Sequence, residues 1–281
     1  MAVRFLAIGH VTRDEFAGED GWRLGGPPTY TTATAARLGA QATLVTRVGP
    51  NERPVLEERC AALGIVLHAL PAETTTTFAF RYEDDRRILK LRARARALAL
   101  SDVPSAVRGA DAVILGSVAH EIDRSLLGAF GAAATVVTAQ GYLREWAADG
   151  TIRPRRWDDV AEVAAKTSAI VLSEDDVAGD LDEPRRWVGH APIIVTLADR
   201  GSLVMTGDGE KLVPAFRADR VVDSTGAGDA FAAGLAIALA ERRPLLEAVR
   251  FAHGVASFAV EAVGTDGLAD RKRVEERIAR G

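Results

Sequence analysis

Asp229 stands at the end of a Gly-Ala-Gly turn in the run Val221-Val222-Asp223-Ser224-Thr225-Gly226-Ala227-Gly228-Asp229-Ala230-Phe231. Glycines let a phosphate come close to the backbone, and successive amides at a helix N-terminus favour an anion. A carboxylate in such a site would repel a phosphate that was merely bound there. It makes chemical sense if Asp229 takes the proton from a hydroxyl that attacks a phosphoryl group. Around the turn, Val213, Val221 and Val222 predict a strand ending at Asp223, and the helix formers that follow predict a helix over Ala227–Glu241. A dinucleotide fingerprint is excluded because its third glycine position holds Phe231. A P-loop is excluded because the chain has no Gly-Lys pair.

The motif resembles the Asp-Thr-x-Gly-Ala-Gly-Asp signature of the ribokinase-like (PfkB) carbohydrate kinases, matched by Asp223, Thr225, Gly226, Ala227, Gly228 and Asp229. The resemblance implies that Asp229 is the catalytic base and that Gly226, Ala227 and Gly228 form the anion hole. It also implies a three-layer α/β/α fold with a mostly parallel sheet and a small β-lid. A second match is Leu24-Gly25-Gly26-Pro27-Pro28-Thr29-Tyr30 before a helix, similar to the family's Gly-Gly motif that hinges the lid and lines the sugar site. Tyr30 occupies a position usually held by Asn. Asp14 matches the family residue that accepts hydrogen bonds from substrate hydroxyls.

Further matches assign the donor end. Ser173-Glu174-Asp175-Asp176 takes the place of the Asn-x-x-Glu motif that organises Mg²⁺, with Glu174 and Asp176 acting through water. Thr196-Leu197-Ala198-Asp199-Arg200-Gly201 is similar to a nucleotide-contacting Thr-x-Gly-x-x-Gly turn, and His253 and Gly264 are expected to flank adenine. Ser173, Thr196, Ala198, Gly201, Thr225, Gly226, Gly228 and His253 are thus expected nucleotide contacts. Asp223 and Thr225 are expected to hold a monovalent cation, K⁺, as in several family members. Glu121 and Gln140 each follow an apolar strand and are expected to face the acceptor.

These side chains need a scaffold, and apolar runs supply one. Buried strands are predicted at Phe5–Gly9, Thr43–Val48, Ala112–Leu115, Thr135–Thr138, Ala169–Leu172 and Ile193–Leu197, with a hairpin of Ser202–Met205 and Lys211–Pro214. Helices are predicted at Thr29–Leu38, Pro54–Leu63, Asp123–Ala134, Trp157–Ala165, Pro184–Val188, Leu245–Val263 and Arg271–Arg280. The alternation predicts one domain over residues 1–281, a parallel sheet with helices on both faces and ligands at the strands' carboxyl ends. The lid is expected from residues 15–25 and 76–97, its first strand within Phe16–Leu24 and a polar turn at Glu83-Asp84-Asp85. In its last strand Leu89, Leu91, Ala93 and Ala95 alternate with Lys90, Arg92, Arg94 and Arg96. Some of these arginines are expected to reach a phosphate.

Composition narrows the function. Hydrophobic residues make up 48% of 281, ample for a large core. Lys plus Arg is 35 against Asp plus Glu at 39, which argues against a general nucleic-acid binder. No apolar run reaches the roughly 20 residues that span a bilayer. The start reads as a first strand, so a soluble cytoplasmic protein is expected. The single Cys60 permits no intrachain disulfide, and the five scattered histidines show no zinc spacing. No Gly-x-Ser-x-Gly elbow supports acyl transfer. The resemblance implies transfer of the ATP γ-phosphoryl group, with Mg²⁺, to a hydroxyl of a small polyol or sugar. The Gly-Gly-Pro-Pro-Thr-Tyr and Arg-Ile-Leu-Lys-Leu-Arg-Ala segments are most similar to the inositol-kinase-like branch. A furanose or nucleoside acceptor and a non-catalytic sugar- or nucleotide-binding regulator are the alternatives. A monomer or homodimer is expected.

Overall fold

The computed structural model describes residues 1–18, 20–83 and 86–281. The turn residues Asp84 and Asp85 lie outside the described residues. From the N-terminus run β1 (Arg4–Gly9), β2 (Thr12–Phe16), β3 (Arg23–Gly25), α1 (Pro27–Arg37), β4 (Gln41–Val48), α2 (Arg53–Ala62) and β5 (Val66–Pro71). β6 (Thr76–Glu83), β7 (Arg86–Ala93), β8 (Ala112–Gly116), β9 (Ala134–Thr138), β10 (Arg144–Trp146), β11 (Ile152–Pro154) and α3 (Val160–Ala164) follow. The last part holds β12 (Ala169–Ser173), α4 (Asp182–Arg185), β13 (Ile193–Thr196), β14 (Ser202–Thr206), β15 (Gly209–Val213), α5 (Ala227–Ala240), α6 (Leu245–Ala259) and α7 (Arg271–Arg280).

The main sheet has nine strands in the order β15-β14-β13-β12-β9-β8-β1-β4-β5, parallel except for the β13–β14–β15 hairpin end. Its central strands bury both faces, which is why they read as continuous apolar runs. In β1, Phe5 and Ala7 enter one core with α1, α5 and α6, while Leu6 and Ile8 enter the other with Trp157, Val163 and Trp187. β8 divides the same way, Ala112 and Ile114 against Val113 and Leu115. The three layers expected from the sequence are therefore present. α5 is apolar all round because it is enclosed: Ala230 through Ala238 are buried between the sheet and α6.

Four expectations fail for local reasons. The helix predicted over Asp123–Ala134 is a single 3₁₀ turn, Arg124–Leu126, capped by the Asp123 carboxylate on the Ser125 amide (2.8 Å). Gly128 and Gly131, both at positive φ, stop it from continuing. Val221 and Val222 form no strand. That segment is tied to the end of α6 by the Val222 amide on the Val260 carbonyl (2.8 Å), and Val221 stays 77% exposed. The first lid strand is two strands, β2 and β3, which pair antiparallel with Thr12 opposite Gly25 and Asp14 opposite Arg23. β5 and the β10–β11 hairpin were not expected at all, because they are an exposed edge strand and two three-residue pieces.

The lid is a second sheet ordered β3-β2-β6-β7, with β2 and β6 parallel. Its Phe16, Phe78, Phe80 and Leu89 face the main sheet's carboxyl end. The β10–β11 hairpin is joined to its edge by the Leu91 amide on the Gly150 carbonyl (2.9 Å) and by Lys90 on Asp149 (2.8 Å).

Candidate active site

A cleft of about 440 Å³ lies between the lid and the carboxyl ends of the main-sheet strands, where open α/β sheets take ligands. At one end is the Gly-Ala-Gly turn. Gly226 caps α5 in the left-handed conformation (φ 81°), and the first-turn amides of a helix have no acceptor within it. Gly228 opens on empty space, since a Cβ there would meet nothing within 4 Å. The turn is braced from outside the cleft by Asp223, whose carboxylate accepts the Thr225 amide (2.9 Å). Asp229 lines the cleft in the first turn of α5. Burial first, and then the negative charge of Asp176, push its carboxyl up to about 7, while Arg144 pulls the other way. A carboxyl at that level is poised to exchange a proton near neutral pH.

At the lid end, Asp14 is 8% exposed and accepts the Thr12 hydroxyl (2.8 Å). It lies on lid strand β2 rather than in a loop after β1, so this carboxylate and the lid are one element. Gly25 explains itself here: a Cβ on it would fall 2.0 Å from the Asp14 Oδ2. Gly26 and Tyr30 also line the cleft. The Tyr30 ring packs against the Gly-Ala-Gly turn, where a Cβ on Gly226 would lie 2.2 Å from a ring carbon. Burial, reinforced by Asp14, Asp229 and Asp223, raises its phenol so that it keeps a proton to donate.

The cleft wall also gathers Ser173, Glu174, Asp175 and Asp176 with Thr196, Ala198 and Thr225. Ser173 and Asp176 cap each other's turn: the Ser173 amide (2.9 Å) and hydroxyl (2.8 Å) donate to Asp176 Oδ2. Gln140 also lines the cleft and donates to the other Asp176 oxygen at 3.5 Å. Glu174 is paired with Arg200. Gly201 stands behind the cleft and closes the turn, its φ of +99° and contact with the Val213 carbonyl leaving no room for a side chain.

Three expected contacts are placed elsewhere. Glu121 is fully buried and accepts the amides of His10 (3.2 Å), Val118 (2.9 Å) and Ala119 (2.7 Å) and the Ser117 hydroxyl (3.1 Å). Its carboxylate organises the loop after β8 and does not line the cleft. His253 is sealed in the core, hydrogen-bonded to Ser202 (2.8 Å) and edge-on to Phe231, with burial pushing its imidazole down to about 4. Lys90, Arg92 and Arg94 do not line the cleft. Lys90 holds Asp149, Arg92 holds Glu15 (3.2 Å), and Arg94 donates to the carbonyls of Ala119 (2.5 Å) and His120 (2.7 Å). The two-residue alternation is real, but its apolar face is the one turned to the cleft.

The positive charge in the cleft comes instead from Arg144 on β10. Nothing in the sequence singles it out, because it sits on a hairpin too short to show a period. Phe16, Phe78 and Phe80 also line the cleft, and their alternation along β2 and β6 puts them on one face.

Comparison with known proteins agrees with this geometry. The family model for pfkB family carbohydrate kinases matches residues 19–271. The chain is 26% identical over 264 residues to the cytidine kinase of Thermococcus kodakarensis, covering 87% of this chain and 91% of that one. It is 39% identical over 90 residues to the ribokinase of Bacillus subtilis, a match spanning only 30% of that protein's length. A pyrophosphate-dependent myo-inositol-1 kinase converted into a myo-inositol-3 kinase superposes with a TM-score of 0.80 at 20% identity, over 98% of each chain. With its ribokinase-like fold and its Gly-Ala-Gly-Asp turn in the cleft, the chain belongs to the pfkB family of carbohydrate kinases.

Proposed function

We propose that this protein transfers the γ-phosphoryl group of ATP to a hydroxyl of a small cyclic polyol or sugar. The observation that carries the reading is Asp229, held at the N-terminus of α5 beside a glycine turn open to the cleft, with its carboxyl raised to about 7. Asp229 accepts the hydroxyl proton as the oxygen attacks, and the Gly226, Ala227 and Gly228 segment receives the transferring group. Asp14 orients the acceptor through its hydroxyls. Phe16, Phe78 and Phe80 cover the C–H face of its ring and exclude water.

Among the described residues no three His, Cys, Asp or Glu side chains group into a protein-only metal cage. Mg²⁺ seldom uses one; it takes one or two carboxylates, water and substrate phosphates. Asp176, with Glu174 and Asp175 beside it, fits that role at the donor end. Bound there with the donor, Mg²⁺ would neutralise phosphate oxygens. A monovalent cation at Asp223 and Thr225 belongs to the same proposal.

The inositol-like acceptor is the reading taken from the sequence. A nucleoside is favoured by the phenyl rings, which offer a stacking surface to a planar base. A panel of myo-inositol, ribose, fructose and cytidine, with ATP or pyrophosphate as donor and with or without Mg²⁺ and K⁺, decides between them. Turnover of myo-inositol with ATP is expected. Preference for cytidine would replace the acceptor, and preference for pyrophosphate the donor. No phosphate transfer to any acceptor would favour a ligand-binding regulator.

A further inference from the structure

We propose, resting on the kinase reading above, that Arg144 is a catalytic residue whose guanidinium binds the phosphoryl group while it passes from donor to acceptor. Among the described residues it is the one cationic side chain lining the cleft, which also carries Asp14, Glu174, Asp175, Asp176 and Asp229. A polyphosphate entering the cleft meets repulsion from these carboxylates, and only the glycine turn and Arg144 offer it positive potential. The arginine shares the cleft with that turn and with Asp229, where its charge is felt through space. It thus stands where the group in flight gathers negative charge.

The fold holds Arg144 in place with more than one element. Its carbonyl accepts the His120 imidazole (2.6 Å), and His120 lies against Trp146 two residues further on. The lid's Arg94 clamps the Ala119 and His120 carbonyls and lies over the same Trp146 ring, 5.7 Å from its centre. On the other side, the Arg155 amide donates to the Leu143 carbonyl (2.8 Å), and Tyr142 stacks on Trp157. The β10–β11 hairpin is further sewn to lid strand β7 at Leu91 and Gly150. Arg144 is therefore fixed between the loop after β8, the main core at Trp157 and the edge of the lid.

In the step, the acceptor oxygen forms a bond to the γ-phosphorus and gives its proton to Asp229. The bond from that phosphorus to the bridging oxygen breaks, and its electron pair leaves with the nucleoside diphosphate. The group in flight has three equatorial oxygens and little bonding at either end. Helix-terminus amides reach it from one side. A planar guanidinium suits two of its oxygens from another, as a point charge on a lysine does not.

The test compares wild type, R144A and R144K, all as the full chain with ATP, Mg²⁺ and the best acceptor from the panel above. R144A is expected to lose about 10²–10³-fold in kcat with both KM values changed less than about threefold, below the 10³–10⁵ of arginines delivered in trans because the turn amides remain. R144K is expected to recover little. Guanidinium ion added at tens of millimolar is expected to restore part of the R144A rate and leave R144K and wild type unchanged. A merely structural arginine would not respond to a free cation, so loss without rescue, or with a lowered melting temperature, overturns the proposal. So does an R144A rate within threefold of wild type. If the wild type transfers phosphate to no acceptor, the kinase reading falls first and the proposal with it.

Discussion

Replacing Asp229 by Asn should remove turnover and make the unliganded protein more stable, and the second effect should depend on pH. The folded protein holds this carboxyl at about 7, against 3.8 for an unperturbed aspartate. Between those values the folded state binds the proton that the unfolded state has lost, so stability falls as pH rises from about 4 to 7 and is then constant. At roughly 1.36 kcal/mol per pH unit, the shift sets a ceiling of about 4 kcal/mol. Asp229 is partly open to the cleft, and water there relaxes around the charge, so about 1–2 kcal/mol is the expected remainder. For a chain of this size each kcal/mol moves the melting temperature by roughly 2–4 °C. D229N should therefore melt about 2–8 °C above wild type at pH 8 and within about 1 °C of it at pH 4, measured without nucleotide or metal. Its kcat should fall by about 10² or more. Equal melting temperatures at pH 8 would show that Asp229 carries no burial penalty. Near-normal turnover would remove it as the base.

Other substitutions separate chemistry from architecture. G228D puts a charge into space that is empty in the free protein, so turnover should vanish while the melting temperature stays within about 2 °C. G226A meets the Tyr30 ring at 2.2 Å and a left-handed backbone, so it should lose about 1–3 kcal/mol by denaturant titration as well as activity. G25A should push the Asp14 carboxylate aside and raise the acceptor KM as D14A does, with donor KM unchanged; initial rates at varied acceptor check this. E121Q turns an amide NH₂ toward amides that now donate to a carboxylate. It should cost about 1–3 kcal/mol without changing acceptor KM, and a KM effect at full stability would return Glu121 to the substrate site.

What could be read in advance was whatever depends on a repeating environment. Strands such as β1 and β8 are buried on both sides along their whole length, so their composition declares them. The Gly-Ala-Gly-Asp turn was legible because phosphate chemistry at a helix N-terminus tolerates few residue types. Asp14 and Gly25 were named separately, but that each needs the other appears only in the β2–β3 register. Glu121 shows the limit of reading by position. A polar residue after a strand can face the ligand or its own loop, and four donors from residues 10 and 117–119 turned this one inward. His253 was placed beside a nucleotide by resemblance, yet Ser202 and Phe231 enclose it.

The lid shows why a correct pattern can still be assigned the wrong way round. Alternation along β7 establishes that Leu89 and Leu91 share one face and that Lys90 and Arg92 share the other. It does not say which face meets the ligand. Phosphate chemistry made the basic face attractive. Those cations instead find fixed partners: Lys90 ties the lid to Asp149 of the neighbouring hairpin, and Arg92 pairs with Glu15 within the lid sheet. The ligand-facing side is left apolar, so a closed cleft can be dry while Arg144, the one arginine lining it among the described residues, comes from the hairpin joined to the lid's edge. Water exclusion strengthens each charge that remains inside, including the carboxyl of Asp229 and the guanidinium of Arg144. A basic ligand-facing lid would have bound phosphate more tightly before transfer. An apolar one with one charge at its edge favours the moment of transfer instead, and only interactions stronger at that moment raise the rate.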